Sequence, residues 1–477
     1  MEEGLLMAKE YRILINGKWK TTDRELRVMN PYDGSVAGVT WLGGEKDLNE
    51  AAEAAFKAFE VLRGYPSYRR AEVIQKVVRG IEERKEELAR TITLEAGKPI
   101  NDSRGEVKRA QNTFQIALEE AKRQEGTVLP LDIMPGAEGR SGIIRRFPVG
   151  PVLGITPFNF PLNLVAHKIA PAMACGNPII LKPASKTPLT AIILGEIITE
   201  AGWPDGGVNM VPSSGKDAER LISDDRIKKI TFTGSAVVGW RLKAAAGTKK
   251  ITLELGGNAG VIVHDDADIE YAVGRCTAGA FSYAGQICIS VQRIYVQKDI
   301  FYKFRDAYIA SCKSLKPGDP LDESTTVGPM IEEDAAVRTE SWVKEALNGG
   351  AKLLLGGGRE GNFFEPTVLT DTTPDMKVCG EEVFAPVVTL ESYGAFDEAV
   401  REVNRGLYGL QAGVFTKDIG RIFYAYEKLD VGGVMANDVP TFRVDNMPYG
   451  GVKMSGFGRE GVRYAIEEMT ELKILAI

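Results

Sequence analysis

Between Pro151 and His264 the chain repeats one rhythm, a short apolar run followed by a turn or a helical stretch. The runs PVLGIT, PIILK, GVNMV, KITFT, ITLEL and GVIVH are five or six residues long and rich in Val, Ile and Leu. Helices are expected near Leu189–Ala201, near Gly215–Ile222 and after Ser235. Continuous apolar runs suit strands buried on both faces, and long connections suit parallel pairing. The rhythm therefore predicts an α/β fold with a doubly wound parallel sheet covered by helices. A second α/β stretch is expected from Ala267 to about Asn437.

The flanks read differently. AAEAAFKAFEVL and AEVIQKVVRGIEERKEELARTI carry apolar residues at helical spacing from about Leu48 to Glu95, and a second helical stretch runs from Gly105 to Arg123. The first quarter is thus expected to be mainly helical. GTVLPLDIMPGAEGRSGIIRRFPVG has two β-prone runs around a Pro/Gly/Ser-rich turn, the pattern of a hairpin, with Arg140, Arg145 and Arg146 on a solvated strand face. The last segment, ELKILAI, is a short apolar strand with no later element to cover it, so a sheet edge in a neighbouring subunit is its expected partner.

Charge and composition narrow the function. With 59 basic and 65 acidic side chains the net charge is −6, which gives no overall positive field for nucleic acid. The opening MEEGLLMAKEYRILINGKW begins acidic, without a positive region followed by an apolar stretch, and no run of eighteen apolar residues occurs, so neither a leader nor a membrane span is expected and the cytoplasm is the expected location. Five cysteines without a C-x-x-C pair argue against a disulfide framework and a zinc ribbon. Only His167 and His264 are present, too few for a multi-histidine metal site or a ready Ser-His-Asp triad. No metal is expected, and a general base is expected to be a carboxylate.

Four places could carry chemistry. In KKITFTGSAVVGWRL, Gly234 ends a strand and Gly239 opens a helix, an arrangement that exposes backbone N–H groups and the Ser235 hydroxyl to a phosphate, although glycine also simply closes tight strand–helix turns. Asn159 lies in a loop stiffened by Pro157 and Pro161, which suits an aimed amide or a plain turn residue. Glu254 sits near the end of an apolar strand just before Gly256 and Gly257, where a carboxylate is costly to bury. Cys288, in SYAGQICIS, lacks helical apolar periodicity around it and is the best nucleophile on local grounds, with an inert core thiol as the open alternative.

Taken together and in order, LELGG (Leu253–Gly257), GQIC (Gly285–Cys288) thirty-four residues after Glu254, TPFN (Thr156–Asn159), FTGS…G (Phe232–Gly239), EEVFAP (Glu381–Pro386) and PYGGVKMSGFGREG (Pro448–Gly461) resemble the aldehyde dehydrogenase superfamily over nearly the whole chain. The resemblance implies a Rossmann-like NAD(P)-binding domain from residues 1–125 and 148–256, a catalytic domain from 257–441, an oligomerisation hairpin and strand from 126–147 and 464–477, and a return segment at 442–463. It implies a homodimer or homotetramer that oxidises a small-molecule aldehyde to a carboxylic acid. Cys288 would attack the aldehyde, Asn159 and the Cys288 backbone N–H would hold the oxyanion, and Glu254 would activate the water that hydrolyses the thioester.

For the cofactor, the resemblance assigns Lys182 to the adenosine ribose, Gly234, Ser235 and Gly239 to the diphosphate region, and Glu382 with Phe384 to the nicotinamide end; Thr156 and Gly215 complete the set. Where many NAD-preferring members carry a ribose-binding glutamate, this chain has Ser185 followed by Lys186, which removes a repulsion against a 2′-phosphate, so NADP is expected beside NAD. NLVAHKIAPA and FRVDNMPYGG look closest to the branch of lactaldehyde, non-phosphorylating glyceraldehyde-3-phosphate and phosphonoacetaldehyde dehydrogenases. Ile287 stands before the cysteine where members acting on phosphorylated aldehydes often have arginine, while Arg109 and Arg443 could hold a hydroxyl or a carboxylate or, equally, serve as surface or helix–loop salt-bridge partners. Two alternatives are a coenzyme-A-acylating dehydrogenase, against which Glu254 speaks, and a catalytically silent binding protein on the same fold.

Overall fold

The computed structural model describes residues 9–477; the acidic residues 1–8, on which the expectation of no leader partly rests, lie outside them. All six apolar runs are strands: Val152–Ile155, Ile179–Lys182, Val208–Met210, Lys229–Thr233, Lys250–Glu254 and Ala259–Val263. The first five pair in parallel in one sheet, but Ala259–Val263 belongs to a second. Gly256 and Gly257 interrupt the run between the two sheets, a change that the rhythm of the sequence does not reveal.

In the first sheet Val152–Ile155 lies between Ile179–Lys182 on one side and Lys229–Thr233 on the other. The chain therefore reverses its direction of winding between Val152–Ile155 and Lys229–Thr233, and such a switch point opens a crevice at the carboxyl ends of the strands. The sheet is extended beyond the expected strands by Ile13–Ile15 and Lys18–Lys20 at one edge and by Gly456–Phe457, antiparallel to Lys250–Glu254, at the other.

The second sheet places Ala259–Val263 beside Val291–Gln297 and Gln411–Phe415, with Val387–Tyr393, Thr367–Thr370, Lys352–Leu355 and Gly433–Ala436 outside them. A third, of three strands, pairs Thr470–Ala476 with Ser141–Pro148 and that strand with Thr127–Pro130. The hairpin and the last strand thus meet within one chain, where the sequence suggested a neighbouring subunit.

The first quarter is less helical than expected, because Ile13–Ile15, Lys18–Lys20, Glu25–Met29 and Val36–Trp41 are strands. The long helical stretch divides into Glu45–Leu62, Ser67–Glu83 and Lys85–Ala96, with Pro66 before the second and Gly97, at φ 67°, closing the third. The next helix, Ile100–Glu120, begins directly after Pro99. One helix, Asn163–Cys175, has no counterpart in the sequence reading. Every residue in it is buried, so it lacks the polar face that gives helical periodicity, and it contains Pro171. Burying side chains such as Ile169 and Met173 there contributes roughly 1.5–3 kcal/mol each. Among the described residues no helix is long and apolar enough to cross a membrane.

Candidate active site

The loop Thr156–Asn159 leaves the central strand at the switch point, and Thr156 N donates to Lys182 O of the neighbouring strand at 3.2 Å. A buried ion pair fixes its far end. Lys98 pairs with Glu106 and donates to Asn159 O at 2.7 Å, while Glu106 Oε1 accepts from Leu162 N at 2.9 Å and from Asn163 N at 3.0 Å. With its backbone held on both sides, Asn159 directs its Nδ2 to Gln286 O at 2.9 Å.

Gln286 belongs to the segment that delivers Cys288. Tyr283 and Ala284 lie in the left-handed region at φ 49° and 50°, a conformation that costs non-glycine residues on the order of 1–3 kcal/mol. Tyr283 is held there by donating to Ala96 O at 2.8 Å. Two glycines are dictated by close approach. A Cβ on Gly285, itself at φ 68°, would lie 2.3 Å from Ala385 O, and one on Gly257 would lie 2.0 Å from Cys288 O. The Cys288 thiol is half-buried and its Sγ is 3.2 Å from the Tyr449 hydroxyl. Burial pushes it up to about 11, against the Tyr449 hydrogen bond, with Glu382 adding to the rise and Arg443 opposing it. The other four cysteines are buried.

Glu254 ends its strand 2% exposed, and neither carboxylate oxygen has a hydrogen-bond partner among the described residues. Its pKa stands well above the usual carboxylate range, first because of burial and then because of the charge of Glu460; Arg443 and Lys168 oppose the rise. Lys168 is engaged elsewhere, donating to Glu460 Oε1 and Thr233 Oγ1 at 2.8 Å each.

Asn159, Glu254, Cys288, Glu382, Arg109 and Arg443 line one cavity of about 390 Å³. Gly234, Ser235, Ile287 and Phe384 line it as well. Cavities of about 540 and 940 Å³ exist elsewhere, so size does not mark this one; its convergent reactive groups do. Arg109 Nη2 donates to Asp445 Oδ1 at 2.9 Å, and the same oxygen lies 3.0 Å from His167 Nε2. Arg443 stacks on the Tyr449 ring at 3.5 Å from its centroid. The Nε of each arginine has no hydrogen-bond partner among the described residues.

The crevice fits a dinucleotide. Ser235 precedes the helix Ala236–Ala245 and its hydroxyl caps no amide, which leaves that hydroxyl and first-turn N–H groups for a diphosphate. A Cβ on Gly239 would lie 2.3 Å from the Leu255 side chain, so glycine lets this helix pack against the strand end. Lys182 is a largely buried cation whose pKa is lowered by burial. Glu382 Oε1 accepts from Gly257 N at 2.9 Å, its carboxyl pushed up to about 7 by burial, and Phe384, at φ 54°, meets Phe158 edge to face with centroids 5.9 Å apart. Gly215 opens the short helix Gly215–Glu219 behind its N-cap Ser214.

Ser185 and Lys186 line the separate 940 Å³ cavity. There the sequence expectation needs amending, because Lys186 pairs with Glu332 and does not stand as a free cation beside Lys182. Sequence reasoning also passed over Tyr449, Asp445, Lys168 and Glu460. All four occur in motif segments, Tyr449 and Glu460 in PYGGVKMSGFGREG, Asp445 in FRVDN and Lys168 in NLVAHK, but nothing local distinguishes their side chains from packing residues.

Residues 19–475 match the aldehyde dehydrogenase family. The chain is 44% identical over 474 residues to 3-sulfolactaldehyde dehydrogenase of Priestia megaterium, covering 99% of both. Among solved structures it is similar to aldehyde dehydrogenase 21 of Physcomitrella patens in complex with the reaction product succinate, at 47% identity and TM-score 0.97 over 99% of each chain. It is likewise similar to the glyceraldehyde-3-phosphate dehydrogenase GapN of Methanocaldococcus jannaschii complexed with NADP, at 42% identity and TM-score 0.92 over 96% of this chain and all of that one. The chain therefore belongs to the aldehyde dehydrogenase family and is an oxidoreductase that acts on an aldehyde with NAD or NADP.

Proposed function

We propose that this enzyme oxidises a short aldehyde bearing a carboxylate or sulfonate at its far end, through a thioester on Cys288. The observation that carries the reading is the single cavity shared by Cys288, Asn159, Glu254, Arg109 and Arg443. Cys288 attacks the aldehyde carbon once its proton has left for solvent or for Glu254. The oxyanion of the hemithioacetal accepts hydrogen bonds from Asn159 Nδ2 and from the Cys288 backbone N–H. NAD(P)⁺, when bound along Ser235, Lys182 and Glu382, supplies the acceptor for the hydride. Glu254 then removes a proton from the water that cleaves the thioester, a role suited to a carboxylate kept basic by burial. Its two unpartnered oxygens favour hydrolysis over transfer to coenzyme A.

The anionic end is assigned to Arg109 and Arg443, which both line the cavity and whose Nε atoms have no hydrogen-bond partner among the described residues. The succinate named for the Physcomitrella relative and the sulfonate named for the Priestia relative are of this class. Ile287 beside Cys288 gives an apolar wall there, which disfavours a phosphorylated aldehyde. Cys288→Ala is expected to abolish turnover while Cys175→Ala, Cys276→Ala, Cys312→Ala and Cys379→Ala retain most of it; a Cys288→Ala enzyme that still reduces NADP⁺ with aldehyde ends the thioester reading.

A homodimer or homotetramer is part of the same proposal. Val128, Ile133, Leu472, Ile474 and Leu475 on the hairpin and last strand are all more than half exposed, an apolar surface suited to a second copy. Truncation before Leu472 is expected to lower the sedimentation coefficient to that of a smaller assembly. The five unpaired cysteines support a cytoplasmic location, which cell fractionation checks directly.

A further inference from the structure

Among the described residues the sulfur of Cys288 has one polar side chain in hydrogen-bond contact, the hydroxyl of Tyr449 at 3.2 Å. Tyr449 is 3% exposed, and its ring packs with Ile289 and Leu410. Its backbone is fixed to Glu460 in both directions, Tyr449 N to Glu460 O at 3.0 Å and Glu460 N to Tyr449 O at 2.6 Å. The guanidinium of Arg443 lies against the ring face. A buried phenol needs an acceptor for its proton, and sulfur is the partner it has among the described residues.

We propose that Tyr449 is a further catalytic residue: its hydroxyl donates to the Cys288 sulfur and holds the thiolate as the thiol proton leaves, with Arg443 on the ring making the phenol a better donor. This rests on Cys288 being the nucleophile. A phenol bonds a neutral thiol weakly and a thiolate strongly, so the contact gains strength as charge develops on sulfur and loses it once sulfur has bonded to carbon. The charged groups that bear on the sulfur are Glu254 and Glu382, which oppose the thiolate, and Arg443, which favours it. Tyr449 adds a neutral donor to this set and keeps its own proton throughout.

The test is the rate at which iodoacetamide alkylates Cys288 in the full-length enzyme between pH 7 and 9.5, read by mass spectrometry of the Cys288 peptide. Tyr449→Phe keeps the ring and removes the donor. A charge-assisted bond changes the thiolate population by about tenfold, and about half of that on a logarithmic scale is returned as higher nucleophilicity. The variant is therefore expected to react about threefold more slowly across the range, with NADP⁺ binding unchanged. Replacing Tyr449 by 3-fluorotyrosine, a stronger donor of nearly the same shape, is expected to move the rate in the opposite direction. Wild-type alkylation in Tyr449→Phe overturns the proposal. If Tyr449→Phe does not fold, an unaltered rate in the fluorotyrosine enzyme overturns it instead. Alkylation reads the tyrosine–sulfur contact without turnover, so it fails or succeeds independently of Cys288→Ala.

Discussion

Glu106 and Glu254 are both sealed from solvent at 2% exposure, yet their surroundings are opposites. Glu106 has a cation, Lys98, and two backbone N–H groups, so its burial is compensated and it fixes the loop that carries Asn159. Glu254 has no hydrogen-bond partner among the described residues and feels the charge of Glu460. An unsatisfied buried group costs about 1–3 kcal/mol, and here the cost leaves a carboxylate with raised basicity. One region is built for rigidity and the other for proton transfer.

The comparison breaks first on kinetics. Glu254→Gln is expected to lower steady-state turnover by roughly 10²–10⁴-fold, as for loss of a general base. It should still form one equivalent of NAD(P)H per site and stall as an acyl-enzyme visible by rapid quench and mass spectrometry. In the wild type, hydrolysis-limited turnover should rise with pH through a value well above 4.5, because the ionised form of Glu254 is the active one and its pKa is raised. A profile flat above pH 5 contradicts the assignment.

Glu106→Gln sharpens the other half. Removing one member of a buried pair strands the Lys98 charge, at an expected cost of about 3–5 kcal/mol in denaturant unfolding. Unchanged stability would show that Lys98 finds another anion. Smaller again is the effect of Arg109→Met, which should lower kcat/KM for a carboxylate-bearing aldehyde by about 10–100-fold and leave a neutral aldehyde of the same length nearly unaffected. Equal losses for both substrates would remove Arg109 from the substrate site.

The smallest expected effect concerns the stability of Glu254→Gln. The folded pKa of Glu254 is raised, so its favourable, protonated burial is complete below the unfolded value near 4.5 and is lost as pH rises through the folded value. Gln does not titrate. The variant should therefore match the wild type in acid and gain stability over it as the pH rises. A wild type that remains more stable than Glu254→Gln at pH 8 would show that Glu254 has partners in solution.

Local signals carried much of the architecture. The five parallel strands of the first sheet and the hairpin at Thr127–Pro130 and Ser141–Pro148 are continuous or alternating apolar runs bounded by turn residues, and such patterns survive in one dimension. Asn163–Cys175 did not, because a helix buried on all sides has no amphipathic period. The strands from Ile13 to Trp41 did not; Ile13–Ile15 takes its place in the first sheet by pairing across the chain, Leu14 with Met210.

The site divides the same way. By itself the sequence determined the reactive side chains, Cys288, Glu254 and Asn159, because rare residues in glycine- and proline-marked segments form an ordered set of motifs. Tertiary structure decided what surrounds them. Whether Glu254 has partners, whether Lys186 is free or tied to Glu332, and whether Tyr449 touches the sulfur are questions about atoms from segments up to 161 residues apart. Burial and charge acting between such atoms set basicity and donor strength, and no local pattern in a chain records a distance across the fold.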